Sequence, residues 1–155
     1  MYIMNYDVRD EYPELTLNKK LIINTLNPQS YCVALKDQNF KCALRNSDLL
    51  LPDGVGIIIA AKFLTGKKIK RITGSDIHEY LLRHAESNEL RVFYLGSNNE
   101  TLTKIKSRIA IEYPNINCKY YSPPYKDEFN DQENSEIIQA IQSFKPDILF
   151  VGMTA

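Results

Sequence analysis

The stretch LLLPDGVGIIIAAKFLTG, residues 49–66, places one carboxylate between two of the most apolar runs in the chain. Two interpretations of Asp53 follow from its neighbours. It is either a turn residue that caps the next helix, or a group held at the end of a strand to accept a proton. The choice between the two depends on the elements on either side of Asp53 and on the residues that they bring near it.

The composition indicates one globular domain. The chain has 155 residues, of which 44% are hydrophobic and 25% charged, and its 19 basic and 19 acidic residues balance. Bulk charge therefore gives no attraction to nucleic acid or to an anionic membrane, and an anionic ligand needs a local site. Three cysteines without a CxxC pair, and no signal peptide or membrane-length apolar run, predict a reduced, cytoplasmic protein.

The first half of the chain predicts two strands and three helices after a polar lead, residues 1–20. A short strand at 21–23 precedes Asn27 and Pro28, an N-cap followed by proline at the first helical position. Helices are expected from Pro28 to residue 37 and over 39–45. A strand at 49–51 then leads to a largely buried helix at 55–64, which Gly66 ends.

The second half continues the alternation of helix and strand. Ser75 or Asp76 is expected to cap a helix that runs to about residue 89, followed by a strand at 91–95 and a helix at 100–113. A strand at 117–121, a helix at 135–144 and a strand at 147–151 complete the pattern. This order predicts a single Rossmann-like α/β domain over 1–155, with a mostly parallel sheet and helices on both faces.

Ligands of such sheets bind outside the carboxyl ends of the strands. Helix N-termini after Gly54, Gly74 and Gly96 offer free N–H groups to phosphate, and Arg71 could add a bidentate contact. The residues expected at that edge are Thr25, Asn27, Asp53, Gly54, Gly96 to Asn99, Ser122 to Tyr125 and Gly152 to Ala155, with Thr73, Gly74, Ser75 and Asp76 beside them.

The sequence lacks the fingerprints of NAD-binding domains and of P-loop NTPases. The turn LGSNNE has one glycine and is not the GxGxxG dinucleotide motif, and no GxxxxGK[ST] phosphate loop occurs. His78 and His84 are six residues apart on one predicted helix, which does not place them on one face. We therefore expect no metal ligands and no bound cofactor.

Four segments in order resemble the WecG/TagA/CpsF family of bacterial glycosyltransferases. They are NTLNPQSY at 24–31, LLLPDGVGIIIAAKFLTG at 49–66, RITGSDI at 71–77 and PDILFVGMTA at 146–155. The resemblance implies transfer of an N-acetylhexosamine, commonly N-acetylmannosamine, from a UDP donor to a polyprenyl-diphosphate-linked N-acetylglucosamine. It implies inversion at the sugar, a role in teichoic acid or surface polysaccharide synthesis, and work at the cytoplasmic membrane face.

The resemblance also implies roles for single residues. Asp53 matches the proposed catalytic base, Thr25 its polar partner, Arg71 a position linked to the donor diphosphate, and Tyr125 a nucleotide-contacting tyrosine. No DxD metal signature is present, so no divalent ion is expected to be required. The remaining candidate binding residues are Asn27, Gly54, Thr73, Gly74, Ser75, Gly96 and Gly152.

Simpler roles stay open for several of these residues. Thr25 and Asn27 could only cap the following helix, residues 67–71 could be a solvated connector, and the tyrosines at 120, 121 and 125 could be half-buried packing. The family's pattern continues beyond Ala155, so we expect a truncated form with an incomplete site, and peripheral membrane contact only at full length. A transferase with another UDP-hexose, or a non-catalytic nucleotide-binding α/β module, remain as alternatives.

Overall fold

The computed structural model describes residues 1–16, 19–126 and 128–153. Thr154 and Ala155, the last two residues of the PDILFVGMTA motif, lie outside the described residues, as do Leu17 and Asn18 of the lead. The chain divides into two compact units, Met1–His78 and Glu79–Ala155. Whether they act as the single domain predicted over 1–155 stays a prediction.

The described elements follow the expected alternation of strand and helix. The strands are β1 (Tyr2–Ile3), β2 (Tyr6–Asp7), β3 (Ile23–Leu26), β4 (Leu49–Pro52), β5 (Arg91–Gly96), β6 (Asn117–Tyr121) and β7 (Ile148–Gly152). The helices are α1 (Pro28–Lys36), α2 (Gln38–Arg45), α3 (Val55–Thr65), α4 (Gly74–Ser87), α5 (Asn99–Glu112) and α6 (Asp131–Phe144). None of these helices is both long and apolar enough to cross a membrane.

The predicted α/β class with parallel pairing is confirmed. In the first unit β3 pairs with β4 in parallel, and in the second unit the order is β6-β5-β7, also parallel. Among the described residues, hydrogen bonds thus join two parallel strands in the first unit and three in the second.

The polar N-terminal lead contains two strands that the sequence analysis did not predict. Its first residues form an antiparallel hairpin of β1 and β2, turned by Met4 and Asn5 with φ of 47° and 68°. Val8 then forms a parallel bridge with Leu50, and both Val8 and Tyr6 are buried. The alternation of buried and exposed side chains in this short segment explains why it pairs, although its composition is polar.

The first parallel strand lies later in the chain than predicted. We expected it at 21–23, yet β3 is Ile23–Leu26, because its register with β4 pairs Ile23 with Leu49 and Leu26 with Pro52. Leu26 is fully buried, whereas Ile22 is 49% exposed. Thr25 therefore lies inside the strand and not after it.

Two helix predictions are also corrected. α6 begins at Asp131 and not at 135, because Asn130 and Glu133 form a capping box ahead of it. α3 is not largely buried: only Ile57 and Ala61 are buried, while Phe63 is 89% exposed. Gly66 ends α3 in the left-handed conformation, with φ of 70°, as predicted.

In the second unit, helices pack on both faces of the sheet, as expected. On one face of β5, Val92 and Tyr94 pack with Leu82 of α4 and Leu102 of α5. The opposite face carries Phe93 and Leu95, which pack against α6 through its buried Ile137 and Phe144. Strand alternation thus divides the unit's core into two layers.

We predict that Gly96→Ala strongly destabilises the second unit. Gly96 has φ of 110°, and an added Cβ would overlap the carbonyl oxygen of Gly152, so both backbone strain and overlap oppose it. The free energy of unfolding in urea should fall by on the order of 2 to 4 kcal/mol. Gly152→Ala is the matched control, because a Cβ there meets nothing within 4 Å; equal losses for the two variants would contradict this account.

Candidate functional site

Asp53 lies where β4 ends, and the neighbouring strand fixes its backbone. Its N–H donates to the carbonyl of Leu26 over 2.9 Å, which extends the β3–β4 ladder by one bond. In the same register Thr25 lies opposite Leu51, which is two residues before Asp53. The carboxylate is 21% exposed, so it is open to a ligand at the carboxyl edge of this sheet.

Arg71 is brought to Asp53 by the connector before α4. The N–H of Ile72 donates to the carbonyl of Pro52 over 3.0 Å, and the Ile72 side chain is fully buried. One residue earlier, the Arg71 guanidinium lies with a nitrogen 3.8 Å from the Asp53 carboxylate. This long contact involves a half-exposed arginine, so the guanidinium keeps donors for an anion.

The N-terminus of α3 has no capping side chain, unlike the other helices of the first unit. Its N-cap is Gly54, with φ of 91°, and no side chain caps it. By contrast, the Asn27 side chain accepts from the Ser30 N–H over 2.8 Å and closes α1 in a capping box. The simpler role weighed for Asn27, helix capping, is therefore confirmed.

The N-terminus of α4 is also capped, although by a residue other than those predicted. We expected Ser75 or Asp76 as the cap, but Thr73 fills that position: its hydroxyl accepts from the Asp76 N–H over 3.1 Å. In return the Asp76 carboxylate accepts from the Thr73 N–H over 2.7 Å, which holds the pKa of Asp76 below its usual value. Gly74 and Ser75 lie in the exposed first turn of α4.

The two glycines of the PDGVG segment have a packing reason that the sequence alone did not indicate. A Cβ on Gly54 would lie 3.1 Å from the Pro28 ring, and one on Gly56 would lie 2.8 Å from it. The first turns of α1 and α3 therefore lie side by side at the ends of β3 and β4. The glycines one and three residues after Asp53 were the available sequence signal of this contact.

The second unit holds four further candidates, Gly96, Ser122, Tyr125 and Gly152. Gly96 ends β5 opposite Gly152 of β7, in contact with its carbonyl. The Ser122 hydroxyl donates to the carbonyl of Ser97 over 2.7 Å and joins the loops that follow β6 and β5. Tyr125 is 97% exposed, so half-buried packing does not explain this tyrosine.

The other two tyrosines weighed for stacking already have polar partners. The Tyr120 hydroxyl lies 3.1 Å from that of Thr103, and the Tyr121 hydroxyl donates to Glu136 over 3.5 Å. Both tyrosines are half-buried, which agrees with the packing role weighed for them. Across the described ranges, no group of three His, Cys, Asp or Glu side chains is arranged to hold a metal ion.

Comparison with known proteins decides the family. The family model described as "Glycosyl transferase WecG/TagA/CpsF family" matches residues 7–155. The chain belongs to this family. The resemblance of the four sequence segments is thereby confirmed, and the family is one of glycosyltransferases.

Three curated relatives share the name N-acetylglucosaminyldiphosphoundecaprenol N-acetyl-beta-D-mannosaminyltransferase. The relative from Bacillus subtilis is 30% identical over 132 residues, which cover 85% of this chain and 50% of the relative. One from Bacillus spizizenii is 30% identical over 140 residues, covering 90% and 52%, and one from Staphylococcus aureus is 29% identical over 133 residues, covering 86% and 50%. The chain spans about half the length of these relatives.

We expect Arg71→Ala to weaken the binding of UDP without unfolding the protein. The family resemblance links Arg71 to the diphosphate of a UDP donor, and loss of that charged hydrogen-bond donor should raise the Kd about tenfold, measured by calorimetry. The free energy of unfolding should change by less than about 1 kcal/mol, because the contact with Asp53 is long and half-exposed.

Arg9→Ala is the matched control for this variant. Arg9 is an exposed arginine of the same unit and lies 3.5 Å from the carboxylate of Asp7. An equal loss of UDP affinity in both variants would mean that Arg71 acts only through general charge.

Proposed function

We propose that this chain carries the donor site and the catalytic base of an inverting glycosyltransferase. The transferred group is an N-acetylhexosamine, N-acetylmannosamine in the first instance, and the donor is its UDP derivative. The acceptor is a polyprenyl-diphosphate-linked N-acetylglucosamine, used for teichoic acid or surface polysaccharide. The names of the relatives support both the lipid-linked N-acetylglucosamine acceptor and the N-acetylmannosamine group.

The observation that carries the proposal is the position of Asp53. It lies beside the uncapped N-terminus of α3 and 3.8 Å from the Arg71 guanidinium, at the carboxyl edge of a parallel sheet. A base for the incoming hydroxyl and two positive groups for a leaving diphosphate thus occur within one short segment of chain.

The reaction assigns a separate task to each group. The Asp53 carboxylate takes the proton of the acceptor hydroxyl as that oxygen bonds to the anomeric carbon from the side opposite UDP. The bond from the anomeric carbon to the diphosphate oxygen breaks, and its electron pair leaves with UDP. The α3 N–H groups and Arg71 stabilise that charge, and Thr25 hydrogen-bonds a reacting sugar.

The other candidates belong to binding and not to proton transfer. We propose that Gly54 lets the backbone approach the diphosphate and that Asn27, Thr73, Gly74 and Ser75 line the same edge of the first unit. In the second unit, Tyr125 is proposed as a nucleotide contact because of the family resemblance, and Gly96 and Gly152 are proposed as binding residues because they end β5 and β7. The proposed place of action is the cytoplasmic face of the membrane, where the acceptor lipid is presented, with no divalent ion required.

The test of the base is Asp53→Asn, which keeps the shape of the side chain and removes its basicity. Transfer from UDP-N-acetylmannosamine to a short-chain lipid-diphosphate N-acetylglucosamine should fall by about 10² to 10⁴, while the Kd for UDP changes less than about threefold. The assay uses this chain and also a chimaera in which it replaces the matched 132 residues of the Bacillus subtilis relative.

Asp37→Asn serves as the control, because Asp37 is an N-cap in the same unit and asparagine caps helices equally well. An unchanged transfer rate in Asp53→Asn would refute the base. UDP binding without transfer in both forms would instead support a nucleotide-binding module, and preference for a competing UDP-hexose would replace the donor sugar.

A further inference from the structure

α3 leaves an apolar stripe uncovered. Val55, Ile59 and Phe63 recur every four residues along one side of the helix and are 59%, 62% and 89% exposed. The opposite side carries the buried Ile57 and Ala61, which pack into the core of the first unit. A helix that is apolar on both sides is expected to contact something besides its own core.

The sequence segment that contains this stripe carries charge of a single sign. Between Asp53 and Asp76 the chain has five basic residues and no acid. Two of the five are engaged: Lys70 lies over the Tyr12 ring and Arg71 contacts Asp53. The other three, Lys62, Lys67 and Lys68, are exposed and form no ion pair with any described residue.

We propose that the α3 patch, defined as Val55, Ile59, Phe63 and Leu64 with Lys62, Lys67 and Lys68, docks on an anionic lipid bilayer. An apolar helix face enters the boundary between headgroups and acyl chains, and neighbouring lysines bind anionic headgroups. The lysines fit this occupant better than a second copy of the chain, since a symmetric contact through the patch would bring like charges together. Four exposed side chains are also fewer than a stable dimer interface uses.

The purpose of this docking rests on the proposed function. A polyprenyl-linked acceptor stays in the membrane, so the base that serves it has to reach the bilayer surface. Val55, the first residue of the patch, is only two residues after Asp53. Contact through α3 therefore carries the candidate base to the lipid headgroups.

The test is co-sedimentation of the chain with sucrose-loaded vesicles, made either of phosphatidylcholine alone or with phosphatidylglycerol added. The family resemblance led us to expect membrane contact only at full length, whereas the α3 patch predicts that this chain itself binds the anionic vesicles. Salt should weaken that binding, and the neutral vesicles should bind little. Phe63→Ser and the pair Lys67→Glu/Lys68→Glu should each lower the binding constant at least about tenfold. Far-UV circular dichroism verifies that each variant is folded.

Matched controls lie outside the patch. Ile111→Ser removes an apolar side chain that is 81% exposed on α5, and Lys19→Glu/Lys20→Glu reverses two exposed neighbouring lysines. Both should bind vesicles as the unmodified chain does, and equal losses in patch and control variants would overturn the proposal. So would absent vesicle binding, or a dimer in sedimentation velocity that Phe63→Ser dissociates, since a second copy would then cover α3.

The outcome is separable from that of the proposed function. Vesicle binding needs neither donor nor acceptor, and Asp53→Asn should bind as the unmodified chain does. Loss of transfer in Asp53→Asn with normal vesicle binding supports both proposals. Patch-dependent vesicle binding by a protein without transferase activity supports the docking surface alone.

Discussion

The parallel pairing of β3 with β4 is the constraint on which the first unit depends. Its register extends from Ile23 opposite Leu49 to Leu26 opposite Pro52, and the hydrogen bond from the Asp53 N–H to Leu26 continues it. Because the two strands end together, the helices that follow them start together. The uncapped α3, the candidate base and the connector with Arg71 are consequences of that shared end.

The close start of α1 and α3 requires small residues. Pro28 occupies the space in which side chains at positions 54 and 56 would otherwise lie. The glycines therefore serve two needs at once: they admit the proline ring, and they leave the helix N-terminus without a capping side chain. An anion that approaches α3 meets backbone N–H groups, which is the usual way in which such folds hold phosphate.

Much of this arrangement could be predicted from local sequence. Asn27 followed by Pro28 is a strong helix start, and Gly66 a strong helix end, because each depends on the backbone preference of one residue. The strand at 21–23 was misplaced because three apolar residues look buried, while the register is decided by pairing with β4, which is distant in sequence. The cap of α4 was missed by two or three residues because Thr73, Ser75 and Asp76 are all good caps, and only the hydrogen bonds select Thr73.

The candidate site, too, was predictable from local sequence only in part. Asp53 and Arg71 were named from motifs, but their contact follows from the anchoring of Ile72 on Pro52, which no local pattern indicates. α3 was predicted to be buried because its composition is apolar, yet burial depends on what covers a helix, and half of this one is uncovered.

The most direct test of the site is a backbone and arginine side-chain NMR titration of the protein with UDP. The account predicts the largest shifts at the N–H groups of residues 54–57 and at the Arg71 guanidinium, with smaller shifts in the Tyr2–Asp7 hairpin. Shifts concentrated in that hairpin, or absent from residues 54–57 and Arg71 at saturating UDP, would contradict the assignment of the donor site.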